Sequence, residues 1–249
     1  MTTTHCLFIS DLHLCNERPE KLALFRQLLR GPARNADTLY ILGDLFESWA
    51  GDDDSTPPHP DIVRELTEYS ASGGKLAIMR GNRDFLLGPT FIKATGATQL
   101  KDPTIINLYG KQVLLSHGDT LCTRDIPYQV FRLLVNNPVV IPIFLALPYS
   151  LRYRLWHRIR FVTKRSAYNK SPDITDVHQP AVEKVMHRKQ VHILIHGHTH
   201  REGIHEFSMD GITARRYVLG DWYDSDSVLV ATNASLQLMR VQAYLDSSD

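Results

Sequence analysis

The sequence predicts a mixed α/β fold in which two packed β-sheets are flanked by helices. This is a four-layer α-β-β-α sandwich carrying a helical insertion. Three observations lead there. The first half alternates short β-rich runs with helical patterns, the rhythm of a largely parallel sheet. The last quarter is a series of strand-like runs between short turns, which predicts mostly antiparallel pairing. Between them, residues 125–172 read as helices, broken by Pro138, Pro142 and Pro148.

Taken in order, residues 6–10 (CLFIS) form the first expected strand. Residues 19–29 place Leu22, Phe25, Leu28 and Leu29 at helical spacing. A strand at 38–42, a helix at 61–71, and strands at 75–79 and 112–116 follow. The later runs fall at 193–195, 204–207, 215–219, 227–231 and 236–241. The division expected is a core of residues 1–124 and 173–249, with residues 125–172 as a cap over it. The GDDD at 51–54 reads as a solvated acidic loop with no ligand role.

The chain has 249 residues, 43% hydrophobic and 22% charged, which is ordinary for a globular protein able to bury a large core. Its net charge of +1 hides an asymmetry. No acidic residue lies between Asp125 and Asp173, while that window holds Arg132, Arg152, Arg154, Arg158, Arg160, Lys164, Arg165 and Lys170. The segment therefore carries +8 and the remainder −7 (+1 − 8). Such a local basic segment is aimed at a membrane surface or an anionic ligand. It lacks the aromatic stacking patterns of nucleic-acid binders, so no nucleic-acid partner is expected. The longest apolar run, PVVIPIFLALPY at 138–149, is too short to span a bilayer, which takes about 20 residues. The opening MTTTHCLFIS lacks the regions of a signal peptide. Cys6, Cys15 and Cys122 show no C-x-x-C spacing and read as free thiols in a reducing compartment.

Chemistry gathers at the strand ends. FIS is followed by Asp11-Leu12-His13, IL by Gly43-Asp44, and IMR by Gly81-Asn82. LLS runs into His117-Gly118-Asp119, and ILI into His196-Gly197-His198-Thr199-His200. Sites in α/β sheets form just beyond the carboxyl ends of strands, so these groups should converge. Each alone is weak, since Gly-Asp and Gly-Asn are common turn dipeptides and a lone His is usually structural. All five in order, each at a strand end, argue for a site. The inventory is Asp11, His13, Asp44, Asn82, His117, His198 and His200. Seven ligands exceed the four that one Zn²⁺ takes, and suit two divalent ions sharing a carboxylate. Imidazole and carboxylate without thiolate favour Mn, Fe or Zn. With two carboxylates facing two such ions, a charge of about +2 remains to attract an anion.

The pattern D-x-H, G-D, G-N, H-G, G-H-x-H over residues 11–200 resembles that of the calcineurin-like dinuclear metallophosphoesterases. ISDLHLC, YILGDLFESW, GDDD, GNRDFLLG, SHGDTLCT, DV-x-Q at 176–179 and LIHGHTHR are similar, more closely, to the family of UDP-2,3-diacylglucosamine diphosphatases of lipid A biosynthesis. The resemblance implies a hydrolase with two Mn²⁺ ions per chain. One ion would be held by Asp11, His13, Asp44 and His200, and the other by Asp44, Asn82, His117 and His198; His196 falls outside that set. It further implies attack of metal-bound hydroxide on the α-phosphorus, giving UMP and 2,3-diacylglucosamine 1-phosphate; residue types alone leave either phosphorus open. Substrate contacts carry over to Asn82, Arg83, Asp125, Lys170 and His198. They extend to Thr163, where the family has serine, and to Ala167, where asparagine is common and Asn169 is a neighbouring substitute. A monomer bound peripherally to the anionic cytoplasmic face of the inner membrane is the expected setting. The competing readings are a phosphodiesterase or phosphomonoesterase acting on a soluble nucleotide, and an inert scaffold.

Arg83 departs from the wider superfamily, which usually has histidine after the asparagine. Histidine can protonate an alkoxide leaving group, whereas arginine keeps its proton and pairs bidentately with phosphate oxygens. The substitution therefore points to cleavage of an anhydride, whose leaving group needs no protonation. Asp11, His13, Asp44, Asn82, Arg83, His117, His198 and His200 are the expected catalytic set.

Overall fold

The computed structural model describes residues 4–168 and 170–247. Among these residues the strands are β1 (His5–Ile9), β2 (Thr38–Leu42), β3 (Leu76–Met79), β4 (Thr98–Leu100), β5 (Thr104–Leu108), β6 (Lys111–Ser116), β7 (Ile193–His196), β8 (Gly203–Met209), β9 (Ile212–Val218), β10 (Ser227–Thr232) and β11 (Leu236–Arg240). The α-helices are α1 (Pro19–Arg30), α2 (His59–Ala71), α3 (Pro89–Thr95), α4 (Ile126–Val135), α5 (Val140–Leu145), α6 (Tyr149–Tyr168), α7 (Pro172–Thr175), α8 (Gln179–Lys189) and α9 (Val241–Asp246).

The strands form two sheets, ordered β11-β10-β1-β2-β3-β4 and β5-β6-β7-β9-β8. In the first, β1, β2 and β3 are parallel with Ile9, Ile41 and Ile78 in register. In the second, β6, β7 and β9 are parallel. Apolar side chains fill three layers. Phe8, Leu42, Met79, Leu115, Ile195 and Tyr217 pack between the sheets. The far face of the first sheet closes with α1 and α2 through residues such as Ile41, Phe25 and Leu66. Val182 and Met186 of α8 cover Leu114, Leu194 and Ala214 on the second sheet. The expected sandwich of two sheets with helices outside is therefore the one formed.

Mostly antiparallel pairing in the last quarter holds for β8–β9 and β10–β11 but fails for β7, which is parallel to both neighbours. The reason is burial: Leu194, Ile195 and His196 are fully covered, as in a central strand packed on both faces. The short elements α3, β4, β5, α8 and α9 lie outside the sequence reading. The run expected at 236–241 stops at Arg240, where α9 begins.

The described residues at 126–168 form the helices α4, α5 and α6, as the helical reading of this segment expects, but Pro142 interrupts nothing. It lies in the first turn of α5, where a backbone N–H has no intrahelical partner to lose. Asp125 caps α4 by accepting from the Tyr128 amide at 3.2 Å. The acidic loop at 51–54 is no solvated tract, which corrects the sequence reading. Asp52 accepts from the Gly88 and Phe91 amides at the start of α3 (2.8 and 3.0 Å). Asp53 pairs with Arg152, and Asp54 accepts from the Tyr149 hydroxyl at 2.6 Å. The loop is thus where α6 is seated. Trp156 completes the seat, buried against Phe85 and donating from Nε1 to Ser48 Oγ at 2.9 Å. The outer surface of these helices is apolar, with Ile126, Leu133, Ile143 and Phe161 each about two-thirds exposed.

Candidate metal centre

Because β1, β2 and β3 run parallel, as do β6 and β7, the loops after them emerge at the same ends of their sheets. The backbone there is unusual. Asp11, His13, Asp44, His198 and His200 have φ of 55°, 49°, 52°, 70° and 57°, a region that costs a non-glycine residue of order 1–3 kcal/mol. Cross-loop hydrogen bonds hold it: Asp11 N to Gly43 O at 3.1 Å, His13 N to Asp44 O at 3.0 Å, and Gly197 N to His117 O at 2.9 Å. Two glycines are obligatory here. A Cβ on Gly81 would lie 2.2 Å from Asp44 Oδ1, and one on Gly197 would lie 2.2 Å from Asp11 Oδ2.

These loops bring together all seven expected ligands. Asp11, His13 and His200 form one cluster, and Asp11, Asp44 and His117 another. Asn82 Oδ1 stands 2.9 Å from His117 Nε2 and 2.8 Å from His198 Nδ1. Asp44 Oδ1 lies 3.8 Å from His117 Nε2, and Oδ2 lies 3.9 Å from His13 Nδ1. Asp44 thus lies within 4 Å of an imidazole from each set, and Asp11 belongs to both clusters as well.

Second partners fix which nitrogen of two of the rings is free. His117 Nδ1 donates to Leu42 O at 2.9 Å, which leaves Nε2 as a lone pair facing the Asn82 oxygen. His200 Nδ1 donates to Asp221 Oδ2 at 2.8 Å, so its Nε2 lone pair faces His13 Nε2 at 3.2 Å and Asp11 Oδ1 at 3.3 Å. At His117–Asn82 acceptor thus faces acceptor, and beside His13 and His200 the Asp11 Oδ1 atom is buried without a hydrogen-bond donor. Such contacts are repulsive unless a cation or an extra proton lies between them. Electrostatics say the same. Burial alone would lower the His117 pKa, yet Asp44 and Asp11 push it up to about 9. His200, likewise buried, is pushed up to about 10 by Asp11 and Asp221. Donor types, spacing and this demand for positive charge all fit divalent ions, whose N and O ligands lie about 2.0–2.2 Å away.

Arg83 borders the cluster. Its amide donates to Asp44 Oδ1 at 2.8 Å and its Nε lies 3.4 Å from Asp44 Oδ2. One arm of its guanidinium pairs with Glu47 and lies 3.2 Å from the Tyr223 hydroxyl. Tyr223 in turn stacks on His13 at 4.9 Å, and the Arg18 guanidinium lies over its ring, 3.5 Å from the centroid. Arg160 of α6 donates to Glu47 at 2.9 Å, which ties that helix to the same network.

The expected substrate contacts sit farther out. Lys170 Nζ is 2.7 Å from both oxygens of Asp125. That pair marks the start of α4, whose Tyr128 ring lies 5.9 Å from His198. Thr163 Oγ1 donates to Arg160 O at 3.0 Å along α6. Asn169, and the side chain of Ala167, lie outside what the structure describes. His196, set apart from the ligands in the sequence reading, is buried and turned away toward Arg216.

Residues 4–202 match the family described as calcineurin-like phosphoesterase. The chain belongs to that family. Among its relatives, a protein of Pseudomonas putida named UDP-2,3-diacylglucosamine hydrolase is 50% identical, the match covering 87% of this chain and 90% of that one. Proteins of the same name from Aeromonas hydrophila (46% identical, 90% and 93% covered) and Escherichia coli O81 (47% identical, 94% and 97% covered) are similar over comparable lengths. Each of these matches spans most of this calcineurin-like phosphoesterase and most of the relative.

Glu47, Asp221, Tyr223 and Arg18 are missing from the sequence-based set. Glu47 and Asp221 are ordinary acids in sequence, and only the fold reveals which basic group each one faces.

Proposed function

We propose that the chain hydrolyses the diphosphate bond of UDP-2,3-diacylglucosamine at the α-phosphorus. The products are UMP and 2,3-diacylglucosamine 1-phosphate, a lipid A precursor. The reading rests above all on the facing acceptors His117 Nε2 and Asn82 Oδ1 and on the buried, donorless Asp11 Oδ1 beside His13 and His200, which call for positive charge at both places. The relatives' names supply the substrate. We assign two Mn²⁺ ions, one to Asp11, His13, Asp44 and His200 and one to Asp44, Asn82, His117 and His198.

Bound there, divalent ions would polarise the phosphoryl oxygens and lower the pKa of water toward neutrality. The protein supplies the remainder. His117 and His200 are locked as acceptors at Nε2 by Leu42 O and Asp221, so no ring reorganises during turnover. Arg83 places a permanent positive charge beside Asp44, where it stabilises phosphate oxygens but gives up no proton. Its partner Glu47 holds the guanidinium in one orientation. Asp125, Thr163 and Lys170 line the approach as headgroup contacts. The exposed apolar positions of α4, α5 and α6 take the acyl chains at about 0.8 kcal/mol per buried CH₂. With Arg154 and Arg158 exposed on α6, the same surface rests on anionic lipid at the cytoplasmic face of the inner membrane. No described helix is long and apolar enough to cross a membrane. We take the working unit to be a monomer that binds no nucleic acid.

The test is release of UMP from UDP-2,3-diacylglucosamine by metal-stripped protein before and after Mn²⁺ is restored. Release only with metal supports the assignment, and full activity of the stripped protein overturns it.

A further inference from the structure

His196 and Arg216 are both buried, yet neither belongs to the ligand set. Arg216 lies on β9 and is 7% exposed, and its Nε has no hydrogen-bond partner. No carboxylate pairs with it among the described residues. Its Nη1 stands 3.3 Å from His196 Nε2. An arginine only donates, so His196 Nε2 is the acceptor and the ring proton sits on Nδ1. Nδ1–H then donates to the Gly197 carbonyl at 2.8 Å.

That carbonyl also accepts from the Thr199 amide at 2.9 Å, while the Gly197 amide donates to His117 O at 2.9 Å. His198 follows directly, and its amide donates to Asp11 Oδ2 at 2.8 Å. The turn that carries His198 and His200 at positive φ is therefore clamped on its inner side by one imidazole. The guanidinium fixes that imidazole's tautomer.

We propose that Arg216 and His196 are positioning residues that hold the 197–200 turn in its metal-binding shape. Asp176 acts on this guanidinium only from beyond ion-pair contact, and burying it without a directly paired carboxylate is costly, so its presence here asks for a role beyond packing. A leucine would fill the space but would leave His196 Nε2 buried without a donor and the ring held on the Gly197 carbonyl from one side only. The proposal rests on the reading of His198 and His200 as metal ligands.

The experiment is Mn²⁺ titration of metal-free protein followed by electron paramagnetic resonance. It uses the wild type, Arg216→Met, Arg216→Lys, His196→Phe and His196→Asn, each checked for folding by circular dichroism. Outer partners of ligating histidines typically contribute 10–100-fold in metal affinity. Arg216→Met and His196→Phe should therefore weaken both equivalents of Mn²⁺ by at least tenfold, because His198 and His200 serve different ions. Arg216→Lys retains a donor and His196→Asn retains the N–H aimed at Gly197, so each should recover most of the loss. Variants that fold like the wild type and bind both ions as tightly overturn the proposal. So does a loss for Arg216→Met or His196→Phe that the conservative partner fails to recover. If His196→Phe or Arg216→Met does not fold, His196→Asn and Arg216→Lys still decide: tenfold weakening in both would contradict the roles assigned to the retained groups. A wild type that binds no Mn²⁺ would overturn the metal reading itself, and would be seen in the control.

Discussion

Arg83 lies between the Asp44 and Glu47 carboxylates with the Tyr223 hydroxyl beside them. A fixed cation at that place assists departure of a phosphate but offers no proton. Arg83→Ala should lose about 2–4 kcal/mol of transition-state stabilisation on the diphosphate, the size expected for one preorganised charge donor. Arg83→Lys should restore only part, since a point charge cannot reproduce the fork. The check is kcat/KM for the three proteins on the sugar nucleotide and on an alkyl monoester; unimpaired Arg83→Ala would contradict the role. At this scale the proposed ligands were legible because acid, amide and imidazole at successive strand ends have few other uses together. Their orienting partners were not. Asp221 sits 21 residues from His200, and nothing local in DWYD announces a contact of 2.8 Å with its Nδ1. Asp221→Asn should therefore weaken metal binding about 10–100-fold while leaving the fold intact, as read by Mn²⁺ titration and thermal melting.

Helix α6 is seated by Tyr149, Arg152, Trp156 and Arg160 on residues 47–54, a task that nothing within that loop announces. An acidic run next to glycine looks solvated until its cationic and hydroxyl partners, about a hundred residues away, fold onto it. Burial would raise the Asp54 pKa, but hydrogen bonds involving His59, Tyr149 and Thr56 outweigh it and hold the carboxyl well below the usual range. A carboxylate depressed in the folded state contributes stability above its unfolded pKa of about 3.9, lost as pH falls through the folded value. Asp54→Asn should cost about 1.5–3 kcal/mol at neutral pH, as for hydrogen bonds to a charged group. The gap between variant and wild type should then narrow progressively below about pH 4, measured by urea unfolding. A gap independent of pH would mean the carboxylate charge contributes nothing. On the outer side of the same segment, Leu133 and Phe161 are exposed, so Leu133→Asp and Phe161→Asp should leave folding intact. They should weaken turnover of the lipid substrate and binding to anionic vesicles, while sparing a small chromogenic phosphodiester. Equal loss on both substrates would make the segment support rather than acyl-chain surface.

Across the molecule, the β-α-β rhythm was enough to predict two sheets, because apolar runs of four to six residues have few alternatives inside a core. Their pairing was harder. The run at β7 carries no mark of direction, and only its complete burial between β6 and β9 accounts for parallel neighbours on both sides. The two parallel sets place seven donor groups from both sheets in one site, so chelation should abolish activity entirely and Mn²⁺ should restore it. The central claim is hydrolysis of the diphosphate at the α-phosphorus by these groups. The most direct test is turnover of UDP-2,3-diacylglucosamine with Mn²⁺ in ¹⁸O-labelled water, followed by mass spectrometry of both products. The account predicts one ¹⁸O atom in UMP and none in 2,3-diacylglucosamine 1-phosphate; label in the sugar phosphate, or no cleavage at all, would contradict it.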